Sequence, residues 1–456
     1  MIALKTGTHP CSHLLRLGRI GLWLLAGAAA LPVQAALPIQ HWTHASGARV
    51  YLIESPVIPM LDVELSVDGG SRRDPAAQAG LAGATAGMLS AGVAAQDGLP
   101  ALDENQLSEA WVDLGAQFGA SASQDRFTVS LRTLTQPELL QGAVALAARQ
   151  LAAPAWPEKV WLRDRERTLA ALREAETRPG TLAGRSFAQA VFGDHPYGYE
   201  PTAMTLNAIG VADLQRFYRR HVSACRAQVS LVGAVDRAGA DRIVGELVGA
   251  LKPHGCESLP VVPQVQPLKA AVEQRWPFDA AQAQILIGQP GLRRDDPDFF
   301  PAFVGNYILG GGGFVSRLTT EVREKRGLSY SVYSYFNMGL HAGAFQLGLT
   351  TRPDQAEQAL SVARGVVRDF VANGPTEAEL QAAKDYLVNS FALRIDSNRK
   401  LLGNLSNIAW NDLPLDYLDH WTDRVQAVTV DDIRRTFARA VQPDRMVTVV
   451  VGAKKP

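Results

Sequence analysis

One stretch of this chain is written twice, and that repetition limits the folds open to it. Ala208 to Ala234 reads AIGVADLQRFYRRHVSACRAQVSLVGA, and Ala427 to Ala453 reads AVTVDDIRRTFARAVQPDRMVTVVVGA. The two align without a gap at a constant offset of 219 positions. Ala208, Val211, Asp213, Arg216, Arg220, Val222, Arg226, Val232, Gly233 and Ala234 are identical to their partners. A single period of that length marks a duplicated domain rather than a solenoid, whose units repeat every 20–50 residues or so. A chain of 456 residues is long enough for two such halves.

Each half mixes the two hydrophobic periods. Val50–Glu54 and Met60–Asp68 read as strands. In the second, Leu61, Val63, Leu65 and Val67 alternate with Asp62, Glu64, Ser66 and Asp68, the pattern of a half-buried strand. Phe127–Arg132, Gln228–Gly233, Ala283–Gly288 and Gly343–Thr350 are further strands. Helices are predicted at Ala79–Leu89, Glu104–Leu114, through most of Gln136–Gln189, and at Ala212–His221. Capping boxes at Thr376–Glu379 and Thr429–Asp432 open two more. Interspersed strands and helices with hairpin-like pairs predict an α+β fold, with each half an antiparallel-rich sheet covered by helices on one side. Lys252–Gln266, rich in proline and without periodicity, reads as the linker. The expected boundaries are 36–251, 252–266 and 267–456.

Residues 1–35 stand apart. Lys5, Arg16 and Arg19 precede the apolar run Ile20–Leu31, and Val33-Gln34-Ala35 offers small residues for cleavage. That is the layout of a secretory signal peptide, and the run is shorter than the ~20 residues a bilayer span needs. An uncleaved anchor is the rival reading. Export to a bacterial periplasm is expected, with no membrane span after cleavage. Cleavage leaves 42 basic and 45 acidic residues. No basic stripe is present, which argues against nucleic acid as a partner. Cys225 and Cys256 remain; a bridge and two separate thiols are both open.

The most informative stretch is Gly310–Phe336, GGGGFVSRLTTEVREKRGLSYSVYSYF. Gly310, Gly311, Gly312 and Gly313 lead into a helix carrying Arg323. Gly327 ends it, and a strand is expected to open on Tyr330. The glycines lack the G-x-x-x-x-G-K-[ST] pattern of a phosphate cradle; a tight turn, or backbone close to a bound peptide, fits them better. A helix–turn–strand unit brings Arg323 and Tyr330 to one cleft. Arginine supplies rigid planar donors and tyrosine a hydroxyl able to donate to an oxyanion. In the plainer alternative, Arg323 pairs with Glu321 or Glu324 and Tyr330 packs in the sheet.

This stretch resembles the C-terminal signature of the M16 (pitrilysin/insulinase-type) peptidases. Phe192–Gly198 (FGDHPYG), the duplicated halves and Pro375–Phe391 (PTEAELQAAKDYLVNSF) are similar to that family too. The resemblance implies two duplicated M16-type (LuxS/metallohydrolase-like) domains. It also implies that Arg323 and Tyr330 hold the backbone of a peptide substrate and assist its cleavage, with Gly310, Gly311, Gly312 and Gly313 as further substrate-binding candidates.

Active family members carry H-x-x-E-H on a helix of the first half, where two histidines grip zinc and the glutamate is the general base. Here Gly80–Leu89 reads GLAGATAGML. Gly83 and Gly87 replace the histidines and Ala86 the glutamate, and none of the three can bind zinc or move a proton. Ungapped alignment back from Pro179 puts Ala171 at the third ligand position, with Glu174 and Glu176 nearby. His41 and His44 form an H-x-x-H without a completing glutamate, and no G-x-S-x-G elbow is present. The expectation is a chain that binds no metal and has no catalytic residue of its own. It would complete a heterodimer whose H-x-x-E-H partner carries Zn2+. The alternative is a pseudopeptidase that binds peptides or scaffolds an assembly without proteolysis.

Overall fold

The computed structural model describes residues 38–249, 251 and 256–452. The expected leader, residues 1–35, lies outside them, as does 252–255 of the linker. Thirteen strands follow in chain order among the described residues: β1 (Gln40–Thr43), β2 (Arg49–Glu54), β3 (Met60–Val67), β4 (Gly92–Val93), β5 (Leu102–Asp103), β6 (Gln117–Ala122), β7 (Phe127–Leu134), β8 (Gln228–Gly233), β9 (Val272–Trp276), β10 (Ala283–Pro290), β11 (Val332–Phe336), β12 (Ala344–Thr351) and β13 (Val447–Val451). β4 and β5 pair only with each other.

The other strands form two sheets with one plan. The first runs β1-β2-β8-β3-β7-β6 and the second β11-β12-β10-β13-β9. In each, one pair is parallel (β2 with β8, β9 with β13) and all others are antiparallel. Read from its far edge, the second sheet reproduces the first strand for strand. β1 is the one addition. The repeat in sequence is therefore a repeat in topology, and the α+β class follows.

One face of the first sheet buries Val50, Leu52, Leu61, Val63, Leu65, Val129 and Leu231 against helices of its own half, among them Leu81–Met88, Pro137–Ala152 and Val211–His221. The second sheet does the same with Ile285, Ile287, Leu347, Leu349 and Val450 against Ala356–Asn373, Glu377–Asn389 and Val430–Ala440. The capping boxes at Thr376 and Thr429 are in place, each threonine accepting from the N3 amide.

Cover on one side only is corrected by the structure. Asp62 and Ser66, on the polar face of β3, are buried. A helix from the other half covers that face. Asn398–Trp410 lies across β8, β3 and β2, and its Leu401, Leu402, Leu405 and Ala409 pack on Tyr51, Ile53 and Val232. The exchange is reciprocal. Pro179–Phe192, from the first half, lies across β10 and β13 of the second sheet, with Ala183, Phe187 and Val191 on Leu286, Val447, Val449 and Val451. These two helices start 219 positions apart, so each half lends the same helix to its twin's sheet. Polar residues on β3 are tolerated because they find partners: Arg132 holds Asp62 at 2.6 Å, and Ser406 of the lent helix bonds Glu64 and Arg126.

A buried polar junction ties the linker and the β11–β12 loop to the first half. Arg72 Nε donates to Asp125 Oδ1 at 2.9 Å and Arg72 Nη2 to Asp68 Oδ1 at 2.7 Å. The Tyr197 hydroxyl donates to Asp125 Oδ1, and the amides of Leu340 and His341 donate to Asp125 Oδ2 and Tyr197 Oη. His195 bonds the Pro263 carbonyl at 2.9 Å through Nε2, and His341 meets Gln264 at 3.2 Å. Burial holds both histidines below their usual range. The HPYG segment is thus a structural clasp built on a short 3-10 turn. Cys225 and Cys256 are joined by a disulfide, which pins the start of the described linker to the same half.

Candidate functional site

The glycine run ends one helix and starts another. Phe299–Asn306 is α-helical and widens into a π-type turn over Tyr307–Gly311, where the Gly312 amide reaches back to the Tyr307 carbonyl at 2.8 Å. Wide turns of this kind gather at functional sites. Gly310 is buried against β11: a Cβ there would stand 2.4 Å from Ser334 Oγ and 2.7 Å from a Leu318 methyl. Asn306 and Ser334 exchange hydrogen bonds of 3.0 and 2.8 Å and fix the turn to that strand. Gly312 is held tight on Tyr307, whereas Gly313 takes φ +59°, a conformation that suits glycine. Gly311 and Gly313 are exposed. The turn Gly313–Val315 then pushes Phe314 into solvent, 68% exposed, and the Ser316 hydroxyl closes it by donating to the Gly313 carbonyl at 2.8 Å.

Arg323 sits on a second π-type turn, Thr319–Glu324. Gly327 at φ +62° carries the chain out of it. Ser329 Oγ donates to the Thr350 carbonyl at 2.7 Å, and Thr351 Oγ1 to the Leu328 carbonyl, tying the following segment to β12. The strand starts at Val332, two residues later than expected, so Tyr330 stands in the turn and is 80% exposed rather than packed in a sheet.

The expected pair does meet, and a third residue joins it. The Arg323 guanidinium carbon lies 4.8 Å from the Tyr330 ring centre and 4.7 Å from that of Phe314. The plainer alternative fails on its acids. Glu321 is occupied by Lys325 and Arg326 at 2.6 Å each, and Arg323 makes no side-chain hydrogen bond or ion pair with any described residue. Arg317, on the same segment, is bound instead to Glu379 and Asp369. Phe314 escaped the sequence reading; its only signal was a large apolar residue directly after four glycines.

The helix Leu81–Met88 shows what the degenerate motif became. Gly83 and Gly87 lie on its exposed face, and a Cβ at either would meet nothing within 4 Å. Ala86 is buried. The helix is held at its start by Asp74, which accepts from the amides of Gly80 and Ala82 at 2.9 Å; burial nonetheless pushes its carboxyl up to about 7. Ala171 lies on the exposed side of Glu158–Ala175 and offers only a methyl group. Glu174 and Glu176 are paired with Arg178 and Arg185. His41 stacks on Tyr51 at 4.2 Å and bonds the Val50 carbonyl, while His44 bonds Ser46. Among the described residues no three His, Cys, Asp or Glu side chains are grouped so as to hold a metal ion. The residues at the zinc-motif positions do not fit zinc. No helix of the described residues is long and apolar enough to cross a membrane.

Residues 208–387 match the family model described as peptidase M16 inactive domain. A crystal structure of a peptidase M16 inactive domain from Pseudomonas fluorescens is 34% identical. It superposes with a TM-score of 0.86 over 92% of this chain and 100% of that one. An uncharacterised zinc protease of Streptomyces coelicolor is 32% identical over 294 residues, 61% of this chain and 62% of that protein. A non-peptidase homologue of Helicobacter pylori is 24% identical over 407 residues, 88% of this chain and 91% of its own length.

Proposed function

The chain belongs to the M16 peptidase family, and from that premise we propose that it is a non-catalytic subunit that holds a peptide for a zinc-bearing relative. Arg323 and Tyr330 grip the substrate, with the exposed backbone of Gly311 and Gly313 beside them and Gly310 and Gly312 packed to hold the turn. A partner with H-x-x-E-H supplies the zinc and the general base. The leader sends the chain to the periplasm, where that partner meets it.

The observation that carries the reading is a contrast within one chain. Arg323 is left free of acids and framed by exposed aromatic rings, while the helix face that would carry zinc ligands presents Gly83 and Gly87 to solvent. The reading rests on an arginine kept unpaired at one place and on zinc-motif positions that carry no ligand at the other.

The test begins with the mature chain alone, which should hold no stoichiometric zinc by elemental analysis and cleave no peptide. Mixed with its H-x-x-E-H relative it should support cleavage, and Arg323→Ala or Tyr330→Phe should lower the rate at least tenfold. Zinc-dependent cleavage by the lone chain overturns the proposal. A mixture in which Arg323→Ala is as active as wild type overturns it as well, and favours a scaffold.

A further inference from the structure

We propose that Arg323 is a carboxylate seat and that Phe314 is the residue that shapes it. The peptide held here would present an acidic side chain or a free C-terminus to the guanidinium edge. This inference rests on the peptide-holding reading above and adds the chemical class of what is held.

Two aromatic rings sit against the guanidinium. Phe314 and Tyr330 lie 4.7 and 4.8 Å from its central carbon. Ring faces attract the cation but accept none of its in-plane N–H donors. Those donors have no acceptor among the described side chains, although the segment is rich in ion pairs. Arg317 has Glu379 and Asp369, and Lys325 and Arg326 share Glu321. Every other basic side chain from Arg317 to Arg326 has an acid. Only Arg323 keeps its donors for something outside the chain.

The shape of the vacant edge favours one class of ligand. A planar guanidinium offers two parallel N–H groups, and a carboxylate matches them with two oxygens, whereas a single peptide carbonyl matches one. The two rings cover part of the cation and fix where the guanidinium stands. Phe314 at 68% and Tyr330 at 80% exposure leave the seat open to an approaching chain. Phe314 does not touch a reacting atom. It is a positioning residue, held out by the Gly313 turn at φ +59°.

Calorimetric titration of the mature protein with four acetylated decapeptides of Gly, Ser and Leu tests this. One carries a central Asp and an amidated C-terminus, one a central Asn and a free C-terminus, one both carboxylates, and one neither. At least one carboxylate should tighten binding about tenfold over the neutral peptide, and the two single-carboxylate peptides identify its source. Arg323→Gln should bring the four to within twofold of each other. Phe314→Ala should shrink the preference several-fold, and Phe314→Tyr should restore it; a purely structural role for Phe314 would not separate charged from neutral peptides. Both residues are outside the core, and circular dichroism should find the variants folded. Equal binding of all four by wild type overturns the carboxylate seat and leaves peptide holding intact. Binding of none overturns both.

Discussion

Arg126, beside the start of β7, donates from Nη1 to the Ser406 hydroxyl at 2.9 Å, although 280 residues separate them. The bond crosses from the first sheet to a helix of the second half. Ser55 and Asn398 make a second such contact at 3.1 Å. The stability of the first sheet therefore depends on residues encoded at the far end of the chain.

Leu405→Ala tests that dependence. Leu405 is fully buried among Tyr51, Ile53 and Val232. Truncating a buried leucine costs about 2–5 kcal/mol. Hydrogen exchange should rise in β2 and β8, across the lent helix, more than in β10 and β13. Loosening confined to the second sheet would contradict the exchange.

Tyr197→Phe probes the clasp. The hydroxyl donates to Asp125 at 2.7 Å and accepts from the His341 amide at 3.2 Å, and burial beside Asp125 pushes the phenol well above its usual range. Removing it leaves Asp125 with Arg72 and Leu340 but orphans the His341 amide. A loss of about 1–3 kcal/mol is expected in denaturant unfolding, with faster exchange in the 337–343 loop.

His221 gives the fold a measurable acid response. Burial beside Phe217 holds its imidazole down to about 4, against an ordinary 6.5, and it bonds the Asp68 carbonyl at 2.9 Å, with Arg220 and Arg73 nearby. Because the folded pKa is depressed, the unfolded chain takes the proton first. The stability involved is complete above about pH 6.5 and is lost as pH falls toward 4, up to about 3 kcal/mol. Asp74, with its raised pKa, titrates in the opposite sense. The clean measurement is the difference between wild type and His221→Gln across that window, where Asp74 cancels. A flat difference would refute the assignment.

Gly83→Ala and Gly87→Ala should stabilise the protein by about 0.5–1 kcal/mol each in thermal or denaturant unfolding. Both sit on an open helix face with room for a methyl, and alanine lowers the entropy of the unfolded chain. A destabilised double variant would mean that something packs on this face.

Much of the architecture was legible because the duplication was. The 219-residue offset announced two equivalent halves, and the strands read from sequence placed β3, β7, β8, β10 and β12 to within two residues of their observed ends. The helix exchange was not legible. Period and composition say that a helix has an apolar stripe, not which sheet it will meet, and Pro179–Phe192 suits either. The clue lay in β3, whose Asp62 and Ser66 look solvent-facing in sequence and are buried by a neighbour from the other half. The meeting of Arg323 and Tyr330 was legible because their spacing around a glycine stop is local, while the peptide-holding role expected of them came from the resemblance to M16 peptidases. Phe314 could not, since its role comes from the Gly313 turn that aims it back at the arginine.

The reciprocal loan of helices also sets an order of events as the chain emerges into its compartment. β8, the last strand of the first sheet, ends at Gly233, but the helix that covers its outer face is complete only at Trp410. Until that helix follows, Tyr51, Ile53 and Val232 form a greasy surface with no lid, the sort of surface that general chaperones recognise. A version of the gene cut between its halves would leave that surface naked for good. Two copies of an ancestral half would instead have had to trade helices as a domain-swapped pair. The duplicated chain carries that trade within itself.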